Sequence, residues 1–363
     1  MSACAAVTDR LLDLIGGHRV TATICAAVEV GVIDALAAGP RAASDIAADC
    51  PAHEASIKRL LTALVGLGIC GCVEGGQYQL TEMGAYLAQR SESSLGDWAR
   101  FEGKMLVRPW IGLSDSVRTG RTSAEIAGSE GGRYEEIRRD PQAASLFDAA
   151  MVSMTRLVAR DVLAAYNFGD AGRILDIGGG TGTLLIAILG AYPATIGCVL
   201  DLQRCEAGAW KAIADARLGP RADFLAADFF VGLPSGFDTF LLKSVLHNWD
   251  DAHCAVLLAN CRRALGRSGR VLVIERLLEQ FQDASSSHAS TALNDLNMLR
   301  GPGGRERSEQ AYRKLMTDAG LRVARVMPAG RYHLVIAEPQ SIPQTAVYAS
   351  GAEEPPAGRR RNG

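Results

Sequence analysis

The chain has 363 residues, which is longer than one typical domain and favours two. Its 38 basic and 40 acidic side chains leave a net charge of −2, which argues against a general nucleic-acid or membrane-surface binder. No apolar run approaches the ~18 residues of a membrane span, the N-terminus lacks the pattern of a signal peptide, and the cysteines are scattered in apolar contexts. We therefore expect a reduced, cytoplasmic protein without a membrane partner.

Apolar residues at helical spacing predict amphipathic helices over residues 10–37, interrupted at Gly16-Gly17 and at Gly31. Ala27–Ala37 is almost entirely apolar, and two interpretations of it are open. The helix is buried either against a partner subunit or in the core of its own chain. On the first interpretation, the protein is a homodimer formed through its N-terminal third.

Residues 42–80 have the element order of a winged helix. A short helix is predicted at Ala42–Cys50, a longer one at Glu54–Gly68, and a hairpin at Cys70–Leu80. Winged helices often bind DNA, but residues 40–90 carry only four basic side chains against five acidic ones. We therefore predict a structural role for this region and no nucleic-acid partner.

Another apolar helix is predicted at Ala143–Ala165, and it carries Met151 and Met154. Methionines at helical spacing are typical of a packed core. This helix leads directly into a glycine-rich segment, however, so a pocket wall is the second interpretation.

From residue 172 onward, strand-like runs alternate with helical ones. Strands are predicted at Arg173–Ile177, Thr195–Asp201, Asp223–Ala226, Thr239–Leu242, Arg270–Ile274 and His333–Glu338. Helices are predicted near 184–191, 204–217, 251–265 and 308–319. This alternation indicates an α/β domain whose largely parallel sheet is covered on both faces. The tail after residue 339 has no apolar period and is expected to be disordered.

The stretch Asp176–Gly182, with the sequence DIGGGTG, joins the first of these strands to a helix. It fails the dinucleotide fingerprint G-x-G-x-x-G, but its glycines allow a backbone to approach a ligand closely. Asp201 ends the second strand, 19 residues beyond Gly182, where a carboxylate can accept ribose hydroxyls. Asp228 and Phe229 end the third strand, where an acid and an aromatic ring can hold an adenine. This order predicts a ligand that contains a nucleoside.

With these motifs, the chain resembles the S-adenosylmethionine-dependent methyltransferases, and more narrowly the small-molecule O-methyltransferases of the plant caffeate type. That family includes bacterial natural-product tailoring enzymes. The resemblance spans residues 10–339 and rests on DIGGGTG, VLDL at 199–202, AADFF at 226–230, LLKSVLHNWDD at 241–251 and GPGGRERSE at 301–309.

The resemblance implies an α/β fold with a Rossmann-like, doubly wound sheet that follows a helical, winged-helix dimerisation domain. Residues 1–165 would form the dimerisation and substrate-lid region, and residues 166–339 the cofactor-binding catalytic domain. Residues 340–363 would be the tail.

The resemblance also implies roles for individual residues. His247 matches the general base, and Glu275 and Glu306 match acids that flank it. The residues implied for binding S-adenosylmethionine are Gly178, Gly180, Asp201, Asp228, Phe229 and Lys243. Those implied for the pocket of a small aromatic acceptor are Met151, Met154 and Met298.

The chemistry explains why a histidine is needed. A phenol with a pKa near ~10 is ionised in only about one molecule in a thousand at pH 7, whereas a histidine with a pKa near ~6.5 is mostly neutral and can accept its proton. Either Glu275 or Glu306 could orient the imidazole. No compact Asp/Glu/His cluster suggests a catalytic divalent metal.

Asn248 is a departure, because the family usually has an acid directly after the histidine. Members of the family have also drifted to C-methylation, decarboxylation or hydroxylation, and these stay as alternatives to O-methylation. A winged-helix regulator that senses a small molecule is the remote alternative.

Overall fold

A computed structural model describes residues 3–91, 93–129, 137, 139–279 and 286–340, and the predicted disordered tail lies outside these residues. Helices α1–α5 occupy Ala3–Ile15, Gly17–Val30, Val32–Leu36, Ala43–Asp49 and Glu54–Gly66. Helices α6–α11 occupy Glu82–Ala85, Gly96–Phe101, Val107–Ile111, Leu113–Thr119, Ser123–Ile126 and Pro141–Ala165, with a π-helical turn at Glu102–Leu106. Strands β1 (Cys70–Val73) and β2 (Gln77–Leu80) form an antiparallel hairpin. The winged-helix order predicted for this region is therefore present.

The first helices are interrupted where the sequence predicts. Helix α1 ends before Gly16, and α2 ends at Gly31, whose φ of 91° is left-handed and favours glycine.

The apolar segment at residues 27–37 belongs to the core of its own chain. Ala27, Val28, Val32, Ile33 and Leu36 are all buried and pack against helix α5. The interpretation that a partner subunit buries this segment is therefore wrong, because the winged-helix unit already covers it.

Helix α1 instead carries an exposed apolar surface. Leu11, Leu12, Leu14 and Ile15 are between 56% and 66% exposed, which is unusual for large aliphatic side chains so close together. Contact with a second chain here would remove exposed apolar surface from water.

The C-terminal part is built on a seven-stranded sheet. Its strands are β3 (Arg173–Ile177), β4 (Ile196–Asp201), β5 (Ala222–Ala226), β6 (Thr239–Lys243), β7 (Arg270–Glu275), β8 (Leu321–Ala329) and β9 (Tyr332–Pro339). The order is β5-β4-β3-β6-β7-β9-β8, and only the pairings of β9 with β7 and β8 are antiparallel. Helices α12–α16 occupy Thr183–Ala191, Glu206–Asp215, Asp251–Ala264, Ser286–Arg300 and Glu309–Asp318.

Two of these elements were not predicted. Strand β8 lies at the sheet edge, contains Pro328 and exposes Arg322 and Arg325, so it lacks the apolar run of a central strand. Helix α15 is rich in serine and asparagine and shows little amphipathic pattern. Both elements are specified by their tertiary neighbours more than by their own composition.

Alternate residues of each strand point to opposite faces of the sheet. On one face, Ile174, Val199, Leu241 and Ile274 join the core that includes α11, α12 and α13. The other face packs against α14 and α16. Strands β4 and β5 follow on one side of β3, and β6 and β7 on its other side. The connections after β3 and after β5 therefore run in opposite directions along the sheet, which leaves a crevice at the carboxyl ends of these strands.

Within the described residues, no single helix is long and apolar enough to cross a membrane. The bent pair Ala6–Ile15 and Gly17–Val30, at 52°, meets the length and composition criteria when its two helices are joined. The eight described cysteines are free, and Cys25, Cys198 and Cys261 are buried as predicted.

Candidate active site

A cavity of about 410 Å³ opens at the carboxyl edge of the sheet, between the strand ends and helices α7, α11 and α15. It brings together ten of the residues that the sequence analysis named. These are Met151, Met154, Gly178, Gly180, Asp201, Asp228, Phe229, Lys243, His247 and Met298. Glu275 and Glu306 contact His247 but do not line this cavity.

The glycine loop is shaped for close approach. Gly178 and Gly180 have φ values of 69° and 60°, which disfavour other residues. A Cβ at Gly178 would lie 2.9 Å from Val245 Cγ2 and narrow the floor of the cavity. The loop therefore requires glycine both for its backbone conformation and for its space.

Asp201 is held at the tip of β4 by two backbone groups. Gly180 N–H donates to Oδ2 at 2.7 Å, and Leu202 N–H donates to Oδ1 at 2.7 Å. A carboxylate has about four acceptor positions, so two remain for ligand hydroxyls. The predicted ribose acid is thus fixed in place before a ligand binds.

An apolar slot lies beside Asp228. Phe229 and Phe230 meet edge to face with centroids 4.7 Å apart, and Trp249 lies 4.7 Å from Phe230. Asp228 Oδ1 accepts the Phe230 N–H at 2.8 Å, which orients the carboxylate at the rim. The slot suits a flat heterocycle, as the sequence predicts for this motif.

Asp176 is a cavity residue that the sequence analysis did not single out, although it begins the DIGGGTG motif. Its side chain is buried, and its Oδ2 has no hydrogen-bond partner among the residues that the structure describes. Burial, and next the charge of Asp201, raise the pKa of Asp176 to about 7.

Both predicted glutamates contact His247. Its Nδ1 lies 3.2 Å from Glu306 Oε1 and 3.3 Å from Glu275 Oε2, and its backbone N–H donates to Glu275 Oε1 at 3.3 Å. The Asn294 amide also donates to Glu306. Because Nδ1 is occupied by carboxylates, Nε2 is the nitrogen left to accept a proton. The sequence left open which glutamate orients the histidine; in the structure Glu306 hydrogen-bonds to the imidazole, and Glu275 accepts the backbone N–H of His247.

The two carboxylates change the acidity of the imidazole. Burial disfavours its charged form, but Glu275, followed by Glu306, outweighs burial and raises the pKa of His247 to about 9. The predicted mostly neutral histidine at pH 7 is therefore wrong for the ligand-free site. Burial also raises the pKa of Glu275 to about 7.

The sequence suggested no compact Asp/Glu/His cluster for a catalytic divalent metal, but the structure brings three such residues together. His247, Glu275 and Glu306 offer potential metal-ligand atoms within 4.8 Å of one another. The cluster could not be recognised from spacing because 28 and 59 residues separate the glutamates from the histidine. Its imidazole Nδ1 already contacts both carboxylates, which suits a hydrogen-bonded base as well as a metal site.

The turn that carries His247 is held from behind by the GPGGRERSE segment. The buried Arg307 donates to Leu246 O at 2.9 Å and to Trp249 O at 2.7 Å, on either side of the histidine. Arg307 also pairs with Asp251 at 2.8 Å. Gly304 allows this close approach, because a Cβ there would overlap the backbone of residues 247–249.

We therefore expect Gly304→Ala to lower kcat by about tenfold to a hundredfold, because the overlap must displace the histidine turn, and an error of ~1 Å in position has about that effect. The affinity for the donor, measured by calorimetry, should change little. Gly190→Ala is the matched control, since Gly190 is exposed and its Cβ would meet open space. Wild-type kcat in the Gly304 variant would contradict this account of the turn.

Asn248, the departure from the expected acid, also lines the cavity. Its Nδ2 donates to Ser244 O at 3.0 Å, which closes the same turn. An aspartate could not donate this bond unless it were protonated. The asparagine thus supports the turn and leaves the histidine with two carboxylate neighbours.

Known proteins resemble this chain over most of its length. The family model described as "O-methyltransferase domain" matches residues 110–322, and the one described as "O-methyltransferase dimerisation domain" matches residues 12–90. The mitomycin biosynthesis 6-O-methyltransferase of Streptomyces lavendulae is 34% identical over 331 residues, which cover 91% of this chain and 93% of that protein.

Two further relatives bear on the chemistry. The 8-amino-8-demethylriboflavin N,N-dimethyltransferase of Streptomyces davaonensis is 31% identical and covers 88% of this chain and 91% of its own. A crystal structure of the O-methyltransferase NcsB1 from neocarzinostatin biosynthesis, in complex with S-adenosylmethionine and 2-hydroxy-5-methyl naphthoic acid, has a TM-score of 0.70 and 31% identity. That match covers 88% of this chain and 96% of NcsB1.

Proposed function

The chain belongs to the O-methyltransferase family, and from this premise we propose that it methylates a phenolic hydroxyl of a small aromatic natural product, with His247 as the general base. It is an S-adenosylmethionine-dependent O-methyltransferase of the natural-product tailoring type. The phenolic acceptor and the residue roles are the proposal.

One observation carries the proposal: a single cavity is lined both by residues that suit a nucleoside and by a half-buried histidine. The glycine loop, Asp201, Asp228 and Phe229 line this cavity together with His247, whose Nδ1 contacts two carboxylates. Placing two reactants in one cleft replaces an encounter in solution by a fixed alignment.

The residues present suit S-adenosylmethionine. Its hydroxyls would meet the free acceptor positions of Asp201, its adenine the slot beside Asp228 and Phe229, and its methionine end the glycine loop at Gly178. When bound, this donor supplies a methyl group on a positively charged sulfur.

The proposed step needs proton removal from the acceptor. His247 Nε2 takes the hydroxyl proton, Glu275 and Glu306 stabilise the imidazolium, and the oxygen electron pair forms the new bond to the methyl carbon. The electrons of the broken carbon–sulfur bond remain on sulfur, which becomes neutral. A cationic donor in the same cavity would also lower the pKa of His247 and increase the fraction of neutral base.

The base favours oxygen over nitrogen as the acceptor atom. A neutral amine already has a free electron pair, whereas a phenol has to lose its proton. Incubation with labelled donor and matched phenol and aniline acceptors tests the proposal, and label only in the aniline product would refute it.

We expect a homodimer formed through the exposed apolar surface of α1, because pairing would remove this surface from water. Light scattering at micromolar concentration should give twice the mass of the chain. Leu12→Asp combined with Ile15→Asp should yield monomers, whereas Val231→Asp, at a residue 84% exposed elsewhere, should not. A monomeric wild type would contradict the expectation. The cytoplasmic location stays a prediction.

A further inference from the structure

Charged side chains follow an order across the sheet face that lines the cavity. Asp201, Asp176 and Lys243 each lie two residues beyond a residue of the same core, on β4, β3 and β6 in turn. Arg276 lies two residues beyond Ile274, at the end of β7. Side chains two residues apart share a face, so acids occupy one half of the crevice and bases the other. The acidic half suits the donor, and the family resemblance also assigns Lys243 to the donor, which leaves Arg276 to be explained.

Arg276 lies in this basic half, and its described contacts are with a hydroxyl and an aromatic ring. Its Nη1 donates to Ser290 Oγ at 3.3 Å, and its guanidinium lies 5.4 Å from the centroid of the Tyr332 ring. In the part of the chain that the structure describes, no carboxylate forms an ion pair with it. Arg204, another arginine of the cavity, differs in pairing with Asp148 at 3.0 Å. A half-buried cation in this position has a charge that a ligand could neutralise.

The surroundings place Arg276 on the acceptor side of the cavity. One face of helix α15 carries Ser290, Asn294 and Asn297 at helical spacing. Ser290 accepts the hydrogen bond from Arg276, and Asn294 donates to Glu306 beside His247. Asn294 and Asn297 also line the cavity. Tyr332 lies close to the same groups. Burial opposes its ionisation, yet Lys243, Arg276 and His247 lower the pKa of Tyr332.

We propose that Arg276 binds a carboxylate on the acceptor, so that the preferred substrate is an aromatic hydroxy acid rather than a neutral phenol. This inference rests on the proposed methyl transfer. Planar guanidinium and carboxylate groups form two parallel hydrogen bonds, which fixes the ring as well as holding it. A neutral phenol would leave the half-buried charge of Arg276 unmatched.

The test compares a set of isomeric hydroxynaphthoic acids with their methyl esters, which keep the ring and the hydroxyl but lack the charge. Binding is measured by calorimetry with S-adenosylhomocysteine present, and methyl transfer is measured in parallel. In the wild type, at least one acid should bind about tenfold to a hundredfold more tightly than its ester. Arg276→Gln should abolish this ratio, and Arg276→Lys should retain part of it.

Arg325→Gln is the matched control, because Arg325 is exposed on the edge strand β8. In this variant the ratio of acid affinity to ester affinity should equal that of the wild type. The inference is overturned if no acid binds more tightly than its ester, or if Arg276→Gln weakens both equally. It is also overturned if Arg276→Gln weakens S-adenosylhomocysteine alone, which would assign the arginine to the donor's own carboxylate. Methylation of the esters without any preference for acids would leave the proposed function standing, whereas binding without any methylation would count against that function.

Discussion

Replacing His247 with alanine is expected to lower the rate of methyl transfer by about 10²- to 10⁴-fold, the usual contribution of a general base. The acceptor would then react only through its small ionised fraction. Donor affinity, measured by calorimetry, should stay nearly unchanged, because the residues proposed to hold the donor are the glycine loop, Asp201 and Asp228 and do not include His247. Wild-type activity of the variant at pH 7 would remove His247 from the mechanism.

The pH profile gives this prediction a signature beyond loss of activity. An imidazolium cannot accept a proton, so the wild-type rate should fall as the pH drops through the pKa of His247, which the carboxylates raise above its usual value. The alanine variant should lose this dependence and recover partly at high pH, where the acceptor ionises unaided.

Substitutions of the two carboxylates and a chelator complete the test. Glu306→Gln removes a negative charge from Nδ1, so the pKa of His247 should fall and the midpoint of the profile should move to lower pH. A purely structural glutamate would change the rate without moving the midpoint. Chelator should not inhibit, because the proposed base is a side chain. Full inhibition would assign the cluster of His247, Glu275 and Glu306 to a metal.

Replacing Asp201 with alanine is expected to weaken donor binding by about tenfold to over a hundredfold. A charge-assisted hydrogen bond is worth about 1.5–3 kcal/mol, and the variant also releases the Gly180 and Leu202 N–H groups that Asp201 holds. Calorimetry with S-adenosylhomocysteine measures the loss. Unchanged affinity would refute the assignment of Asp201 to the ribose.

A matched control separates binding from folding. Asp223→Ala removes an exposed acid from the neighbouring strand β5, and it should leave donor affinity at the wild-type value. Thermal unfolding of both variants should give similar midpoints. If Asp201→Ala unfolds at a much lower temperature, its loss of binding would report damage to the loop and not loss of the ribose contact.

The sequence by itself determined the elements whose signals are local. The interruptions at Gly16 and Gly31, the hairpin after Cys70 and the central strands follow from glycine conformation and from apolar periodicity, which act within a few residues. The cofactor half of the cavity was predictable for a related reason. Asp201 and Asp228 each end a parallel strand or follow it closely, and the carboxyl ends of parallel strands meet at one edge.

Only the tertiary structure decided which distant residues share an environment. The apolar segment at residues 27–37 is buried inside its own chain, and the edge strand β8 is paired with β9. The tertiary structure also brought Glu275 and Glu306 to the same nitrogen of His247, and the two charges together raise the pKa of that histidine. Burial and charge act through space, so the acidity of the base and the surroundings of Arg276 depend on contacts between residues far apart in the chain.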